Sequence, residues 1–141
     1  RVGLFNQENE FPNGKPFKGE IAMSEKGVVT VVFNDLKPCI YAVSVFQDIN
    51  GNKVIDKNFL GIPKEPYGFS GEWKSGGSSF DKSAFELKSG GAEISIKMKI
   101  YFISSNYFQA GYRIIEEISI IGHQCRPIKQ WHHGRQDTSG Q

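Results

Sequence analysis

The chain has 141 residues, 38% of them hydrophobic and 13% aromatic, which is enough for one domain with its own core. Its 17 basic and 15 acidic residues leave a formal net charge of +2, which argues against a nucleic-acid-binding protein. No apolar stretch approaches the ~18 residues that a membrane-spanning helix needs. Two cysteines allow at most one disulfide bond, which excludes a disulfide-stapled scaffold.

Short β-strand patterns follow one another along the first 103 residues. Alternating or β-branched runs predict strands at residues 2–6, 17–23, 28–33, 40–46, 83–87 and 93–103. The last is the most regular, because Ile94, Ile96 and Met98 share one face while charged or small polar residues occupy the other. No segment here has a helical period. We therefore predict an all-β fold, an antiparallel β-sandwich of about seven strands with a long structured loop.

The run Leu36-x-Pro38-x-x-Tyr41 enters the fourth predicted strand. This pattern is typical of the tyrosine corner of immunoglobulin-like sandwiches, in which the tyrosine hydroxyl bonds to the backbone a few residues upstream. Leu36 is then expected in the core, and Pro38 stiffens the turn. Position 39 of such corners is usually glycine, so Cys39 costs about 1 kcal/mol if this position needs a positive φ. The alternative is an ordinary strand tyrosine after a proline turn.

The connection from residue 47 to about residue 79 carries the strongest chemical signal. Within it, an Asp/Asn loop (residues 48–56) has oxygen-bearing side chains at its first, third, fifth and ninth positions: Asp48, Asn50, Asn52 and Asp56. The backbone carbonyl of Val54 fills the seventh position. Calcium takes six to eight oxygen ligands, and alternate residues of a curled loop all point inward. The pattern therefore predicts a calcium site.

Two features separate this loop from an EF-hand. Gly51 is at the fourth position instead of the sixth, and Phe59 replaces the bidentate glutamate at the twelfth. With two carboxylates, the expected dissociation constant is about 10⁻⁴–10⁻³ M. Glu65 supplies a third carboxylate if the chain folds back. The residues leave open an alternative, an Asx-rich turn that caps its own backbone without any ion.

Residues 58–70 are too apolar for a free loop and predict a structured cover over one end of the sandwich. Four side chains are expected to pack there: Phe59, Ile62, Tyr67 and Phe69. Four other residues are expected to prevent regular strand pairing: Gly61, Pro63, Pro66 and Gly68. Trp73, among glycines and serines, is a candidate for stacking on a sugar, with partial burial as the alternative.

The corner and the central connection together resemble domain-of-unknown-function family 2141 over about residues 2–102. The motif that carries the resemblance includes Leu36, Pro38, Tyr41, Asn58, Phe59, Gly61, Pro63, Glu65, Tyr67, Gly68 and Phe69, beside the Asp/Asn loop. The resemblance implies a transthyretin-like or immunoglobulin-like β-sandwich in bacterial proteins that usually carry an export signal, with no established activity. It therefore implies a periplasmic or extracellular protein. Because the chain begins at Arg1, we expect its signal peptide to have been removed or truncated.

Residues 104–141 differ from the rest, because they contain all three histidines and favour arginine over lysine. We predict a β-sandwich domain over residues 1–103 and a partly disordered, irregular extension over 104–141, with a strand or short helix at 112–121. Our hypothesis is that this extension is non-native, so that its removal leaves the melting temperature unchanged. The spacing of His123, Cys125, His132 and His133 matches no standard zinc finger.

The first 103 residues contain no histidine, the usual general base near neutral pH. We therefore predict a non-enzymatic binding or structural module, with a protein or glycan partner and calcium as its one expected cofactor. The family resemblance implies that this module belongs to the bacterial cell envelope. The alternative is a carbohydrate-binding accessory domain that uses Trp73 and Tyr67 as stacking platforms. A third hypothesis is a hydrolase built on Asp48, Asp56 and Glu65.

Overall fold

The computed structural model describes residues 1–23, 28–73, 77–104 and 109–124. The regular secondary structure of this part of the chain is β-strand apart from one helical turn, so the all-β prediction is confirmed. The elements in chain order are β1 Val2–Phe5, β2 Lys18–Glu20, β3 Val28–Leu36, β4 Cys39–Phe46, β5 Tyr67–Phe69, α1 Phe80–Ser83, β6 Phe85–Leu87, β7 Ala92–Ser104 and β8 Gln109–Gln124.

The strands form one sheet in the order β2-β1-β4-β5-β7-β8-β3, with β6 paired to β4. Most pairs are antiparallel, but β3 and β8 run parallel. The sheet is nearly barrel-shaped, and the Lys18 Nζ of β2 donates to the Asn34 carbonyl of β3 at 2.5 Å, which links the two ends of the strand order. The antiparallel sandwich that we predicted is thus corrected to a curled mixed sheet. Periodicity identifies single strands but does not show which distant strands pair.

The core lies inside this curled sheet and receives side chains from most of the strands. In β7, Ile96 and Met98 are buried while Glu93, Ser95 and Lys97 are exposed, as the period of two predicts. The register places Ile96 opposite Ile118 of β8. The buried hydrophobic residues of the core cluster are Val2, Leu4, Val31, Phe33, Leu36, Tyr41, Val43, Val45, Leu87, Ile96, Met98, Ile118 and Ile120.

Strand β8 lies within the segment that we expected to be an irregular extension, and it includes residues 112–121, where we predicted a strand or short helix. It pairs with β7 on one side and with β3 on the other, and it buries Ile118 and Ile120 in the core. Its alternating apolar residues form a strand because both neighbours offer a free edge at this register. Residues 125–141, including Cys125, lie outside the described part of the chain. The division after residue 103 and the non-native origin of the extension stay predictions.

The turn between β3 and β4 has the hydrogen bond of a tyrosine corner. Tyr41 Oη donates to the Lys37 carbonyl at 3.0 Å, and Leu36 is buried in the core. Burial is the main cause that raises the pKa of the Tyr41 hydroxyl, and the nearby Cys39 thiol raises it further. Cys39 is not among the described residues with a positive φ, whereas Asp35 is, at 57°. The turn therefore places its left-handed residue before the proline, and Cys39 carries no such strain.

Candidate functional site: the Asp/Asn loop and the adjoining cavity

The Asp/Asn loop leaves the sheet after β4 and is held to the returning chain by one buried carboxylate. Glu65 is only 4% exposed. Its Oε1 accepts a hydrogen bond from the Ile49 amide at 2.9 Å, and its Oε2 accepts one from the Asp56 amide at 3.0 Å. Glu65 therefore joins the two ends of the loop through backbone hydrogen bonds, and both of its oxygens serve the loop backbone.

Inside the loop, side-chain oxygens cap successive backbone amides. Asn50 Oδ1 accepts from the Asn52 amide and Asn52 Oδ1 accepts from the Val54 amide, each at 3.1 Å. These are Asx turns, in which a side chain replaces the backbone carbonyl of a tight turn. Gly51 and Lys53 both have positive φ, at 73° and 70°. The sixth position of the loop thus has the left-handed conformation that an EF-hand gives to glycine, although lysine occupies it.

Two of the five predicted calcium ligands, Asn50 and Asn52, are hydrogen-bonded to a third, Asp56. Asn52 Nδ2 donates to Asp56 Oδ1 at 3.0 Å, and Asn50 Nδ2 donates to Asp56 Oδ2 at 2.5 Å. The two side-chain amides therefore present nitrogen to the carboxylate. Among the described residues, no group of three or more acidic, histidine or cysteine side chains has an arrangement that could hold a metal ion. The hydrogen bonds present are those expected for the self-capped alternative, in which an Asx-rich turn caps its own backbone without any ion.

Asp48, the first residue of the predicted ligand set, has a different partner. Its Oδ2 lies 2.6 Å from Arg1 Nε and also accepts from the Lys53 amide at 3.0 Å. Sequence reasoning missed this ion pair, because it forms only when β1 pairs with β4. The hydrogen bond from Arg1 is the main cause that lowers the pKa of Asp48; burial opposes it, and the Lys53 amide lowers it further.

The second carboxylate oxygen of Asp48 takes part in none of these contacts. The Asp48 side chain is 7% exposed, and its Oδ1 is buried without a hydrogen-bond partner among the described residues. Buried carboxylate oxygens in proteins are normally hydrogen-bonded or bound to a cation. Among the side-chain oxygens of the predicted calcium set, Asp48 Oδ1 is therefore the one that has no hydrogen bond with a described residue.

The predicted cover over residues 58–70 is only partly correct. Tyr67 and Phe69 are buried in β5, but Phe59 is 95% exposed. Asn58 Oδ1 accepts from the Leu60 and Ile62 amides at 2.9 and 3.0 Å, which closes a tight turn with Phe59 at its tip. A side chain at the tip of such a turn points away from the sheet, so Phe59 does not pack over the core.

Gly68 contributes to strand pairing and does not prevent it. It lies in β5 opposite Val45 of β4. A Cβ at this position would lie 2.8 Å from Ile96 Cγ2 and 3.1 Å from the Lys97 carbonyl oxygen. The missing side chain therefore allows β5 and β7 to approach closely, a positional use of glycine in strands. Pro63 forms an isolated antiparallel bridge with Lys57 beside Gly61, whose φ is 78°.

Trp73 belongs to an aromatic cluster. Its ring centroid lies 5.0 Å from that of Tyr67 and 5.1 Å from that of Phe69. Lys99 Nζ lies 4.5 Å from the Trp73 ring centroid and donates to the Trp73 carbonyl at 2.9 Å. The two residues that we predicted as sugar-stacking platforms are therefore packed against each other, with Tyr67 buried and Trp73 half-buried.

A half-open cavity of about 730 Å³ lies beside the Asp/Asn loop. Strands β1, β2, β4 and β5 line it, together with the turn after β1, the end of the Asp/Asn loop at Val54 and Ile55, and the following Lys57. Cavities of about 300–1,000 Å³ are typical of small-molecule sites in proteins. Sequence reasoning did not find this cavity, because its lining residues come from separate segments that meet only in the folded sheet.

The family model of an uncharacterised protein conserved in bacteria, DUF2141, matches residues 1–95. The chain belongs to this family. The DUF2141 match covers β1 to β6, the Asp/Asn loop and the start of β7, and it ends before β8. Among curated proteins and among solved structures, no match to the chain was found. Within the described residues of this DUF2141 protein, no helix has the length and apolar character needed to cross a membrane.

Proposed function

We propose that this DUF2141 protein is a non-enzymatic binding or structural module of the bacterial cell envelope, whose Asp/Asn loop takes up calcium weakly. The observation that carries the calcium part is the buried, unpartnered Oδ1 of Asp48. The left-handed φ of Lys53 at the sixth loop position adds support. The periplasmic or extracellular location follows from the export signals that the family resemblance implies, and such compartments suit calcium sites of low affinity.

The weak affinity has a physical cause in the loop. An ion at this site must replace the amide-to-carboxylate hydrogen bonds that Asn50 and Asn52 make with Asp56. It must also share Asp48 with Arg1. Each exchange removes part of the energy gained from coordination, so we expect a dissociation constant of about 10⁻³ M.

The non-enzymatic part rests on how the carboxylates are used. Both oxygens of Glu65 and both oxygens of Asp56 accept hydrogen bonds that hold the loop. A general acid or base needs an atom that reaches its substrate, so this bonding supports a structural role over the hydrolase hypothesis. The carbohydrate-binding alternative has less support, because the Trp73 ring already contacts Tyr67, Phe69 and Lys99.

Calcium titration of the full chain tests the proposal. With a dissociation constant of about 1 mM, 10 mM calcium stabilises the fold by about 1.4 kcal/mol and raises the melting temperature by about 5 °C. Asp48→Asn and Asp56→Asn remove this gain, whereas Asp81→Asn, an exposed aspartate in α1, keeps it. Magnesium at the same concentration controls for ionic strength. An unchanged melting temperature together with no calorimetric heat at 10 mM calcium contradicts the calcium site.

A further inference from the structure

The cavity beside the Asp/Asn loop has an apolar mouth. Ile21 lines it and is 71% exposed, and Val54 lines it and is 59% exposed. Phe5 and Phe69, which are buried and lie outside the core cluster, also line it. Large aliphatic side chains that converge on one concave surface leave apolar area in contact with water, and a bound apolar group removes that area. The lining therefore suits a ligand with a hydrocarbon portion.

The charges at the same surface are mostly positive. Arg1, Lys53 and Lys57 line the cavity, and Glu20 is the one acidic residue of the lining. Arg1 is paired with Asp48, whereas neither lysine takes part in an ion pair with any described residue. Lys53 and Lys57 lie on the same stretch of loop as Val54 and Ile55. An apolar wall beside two lysines is complementary to a molecule with a hydrocarbon chain and an anionic head.

We propose that this cavity binds a single-chain amphiphile with an anionic head, the chain against Ile21, Val54 and the buried apolar lining, and the head at Lys53 and Lys57. The proposal assigns a ligand class to the binding module and so rests on the proposed function. The two fail separately, because calcium uptake depends on Asp48 and Asp56, and amphiphile binding depends on side chains of the cavity.

Calorimetry of the full chain with laurate, below its micelle concentration, tests the proposal. Undecyl alcohol and undecyltrimethylammonium have the same eleven-carbon alkyl chain with a neutral and a cationic head. We expect 1:1 binding of laurate that is at least tenfold tighter than that of either analogue. Equal binding of the three ligands overturns the anionic assignment, and no binding of laurate overturns the site.

Variants locate the ligand. Ile21→Ser and Val54→Ser change exposed side chains and are expected to fold, and each weakens laurate about fivefold or more through lost apolar contact. The double variant Lys53→Gln/Lys57→Gln weakens laurate about tenfold and leaves the neutral analogue unchanged. The matched control is Lys37→Gln/Lys64→Gln, in which both lysines lie outside the cavity lining. Unchanged laurate binding in all cavity variants overturns the proposal. It is also overturned if the wild-type chain is a dimer that Ile21→Ser converts to a monomer, because the cavity surface is then an interface between two copies of the chain.

Discussion

The strongest prediction for the loop concerns Glu65. Replacement by alanine removes two hydrogen bonds between a carboxylate and backbone amides, at 2.9 Å to Ile49 and 3.0 Å to Asp56. Such bonds to charged groups contribute about 1.5–3 kcal/mol each, and both of these bonds are only part-buried, which places their loss at the lower end of that range. We therefore expect Glu65→Ala to lower the free energy of unfolding by about 3 kcal/mol. Glu65→Gln keeps one acceptor but turns an NH₂ group toward an N–H, so it costs about half as much.

Urea denaturation with matched thermal melts measures these changes. A loss of 3 kcal/mol corresponds to a fall of about 12 °C in melting temperature for a domain of this size. Glu72→Gln removes one negative charge from an exposed position and serves as the control, with a change below about 0.5 kcal/mol. Hydrogen exchange adds a local measurement, since the Ile49 and Asp56 amides lose protection first. Glu65→Ala with a melting temperature within 2 °C of the wild type, and with both amides still protected, refutes the reasoning.

Three further predictions concern the sheet and the ion pair. A chain ending at residue 104 loses β8, whose Ile118 and Ile120 contribute about 3–6 kcal/mol by burial. Against our initial hypothesis, circular dichroism is expected to show that this shortened chain is unfolded at room temperature. A chain ending at residue 124 is the control, and equal melting temperatures for the two chains contradict the pairing of β8. Gly68→Ala forces a Cβ against Ile96 and is expected to cost about 1–3 kcal/mol in urea denaturation, whereas Gly77→Ala, which meets no atom within 4 Å, is expected to cost little. Because the pKa of Asp48 is lowered in the folded state, its ion pair stabilises the fold above the unfolded pKa of about 3.9, and this stability is lost as the pH falls through the folded pKa. Asp48→Asn is therefore expected to flatten the acid side of a plot of unfolding free energy against pH, whereas Asp81→Asn is not. Parallel acid sides for Asp48→Asn and the wild type argue against the ion pair.

Local patterns predicted what depends on local geometry. The alternation around Ile96 identified β7 and its buried face, because neighbouring residues of a strand must point to opposite sides. The Leu-x-Pro-x-x-Tyr run indicated the bond from Tyr41 to the Lys37 carbonyl, because that bond spans four residues. The Asx turns of the Asp/Asn loop were likewise open to prediction as the self-capped alternative, since each side chain bonds two residues onward.

Features that depend on distant parts of the chain were not predictable in this way. The parallel pairing of β3 with β8 and the ion pair between Arg1 and Asp48 join segments whose approach no periodicity reveals. Hydrophobicity alone also misplaced Phe59, because the turn closed by Asn58 determines where that side chain points. Gly68 was predicted to prevent strand pairing but lies inside β5, because the close approach of β7 leaves no room for a side chain at this position.

The parallel pairing has a consequence for how the protein is made. Val28 and its partner Glu117 are about 90 positions apart, so during translation β3 leaves the ribosome long before β8 exists. Until then the nascent chain has an unpaired edge at β3 that carries the apolar Val28 and Val32. Synthesis of this protein therefore passes through an interval in which β3 has been made and its parallel neighbour has not, so this end of the sheet forms only after most of the described chain has been made.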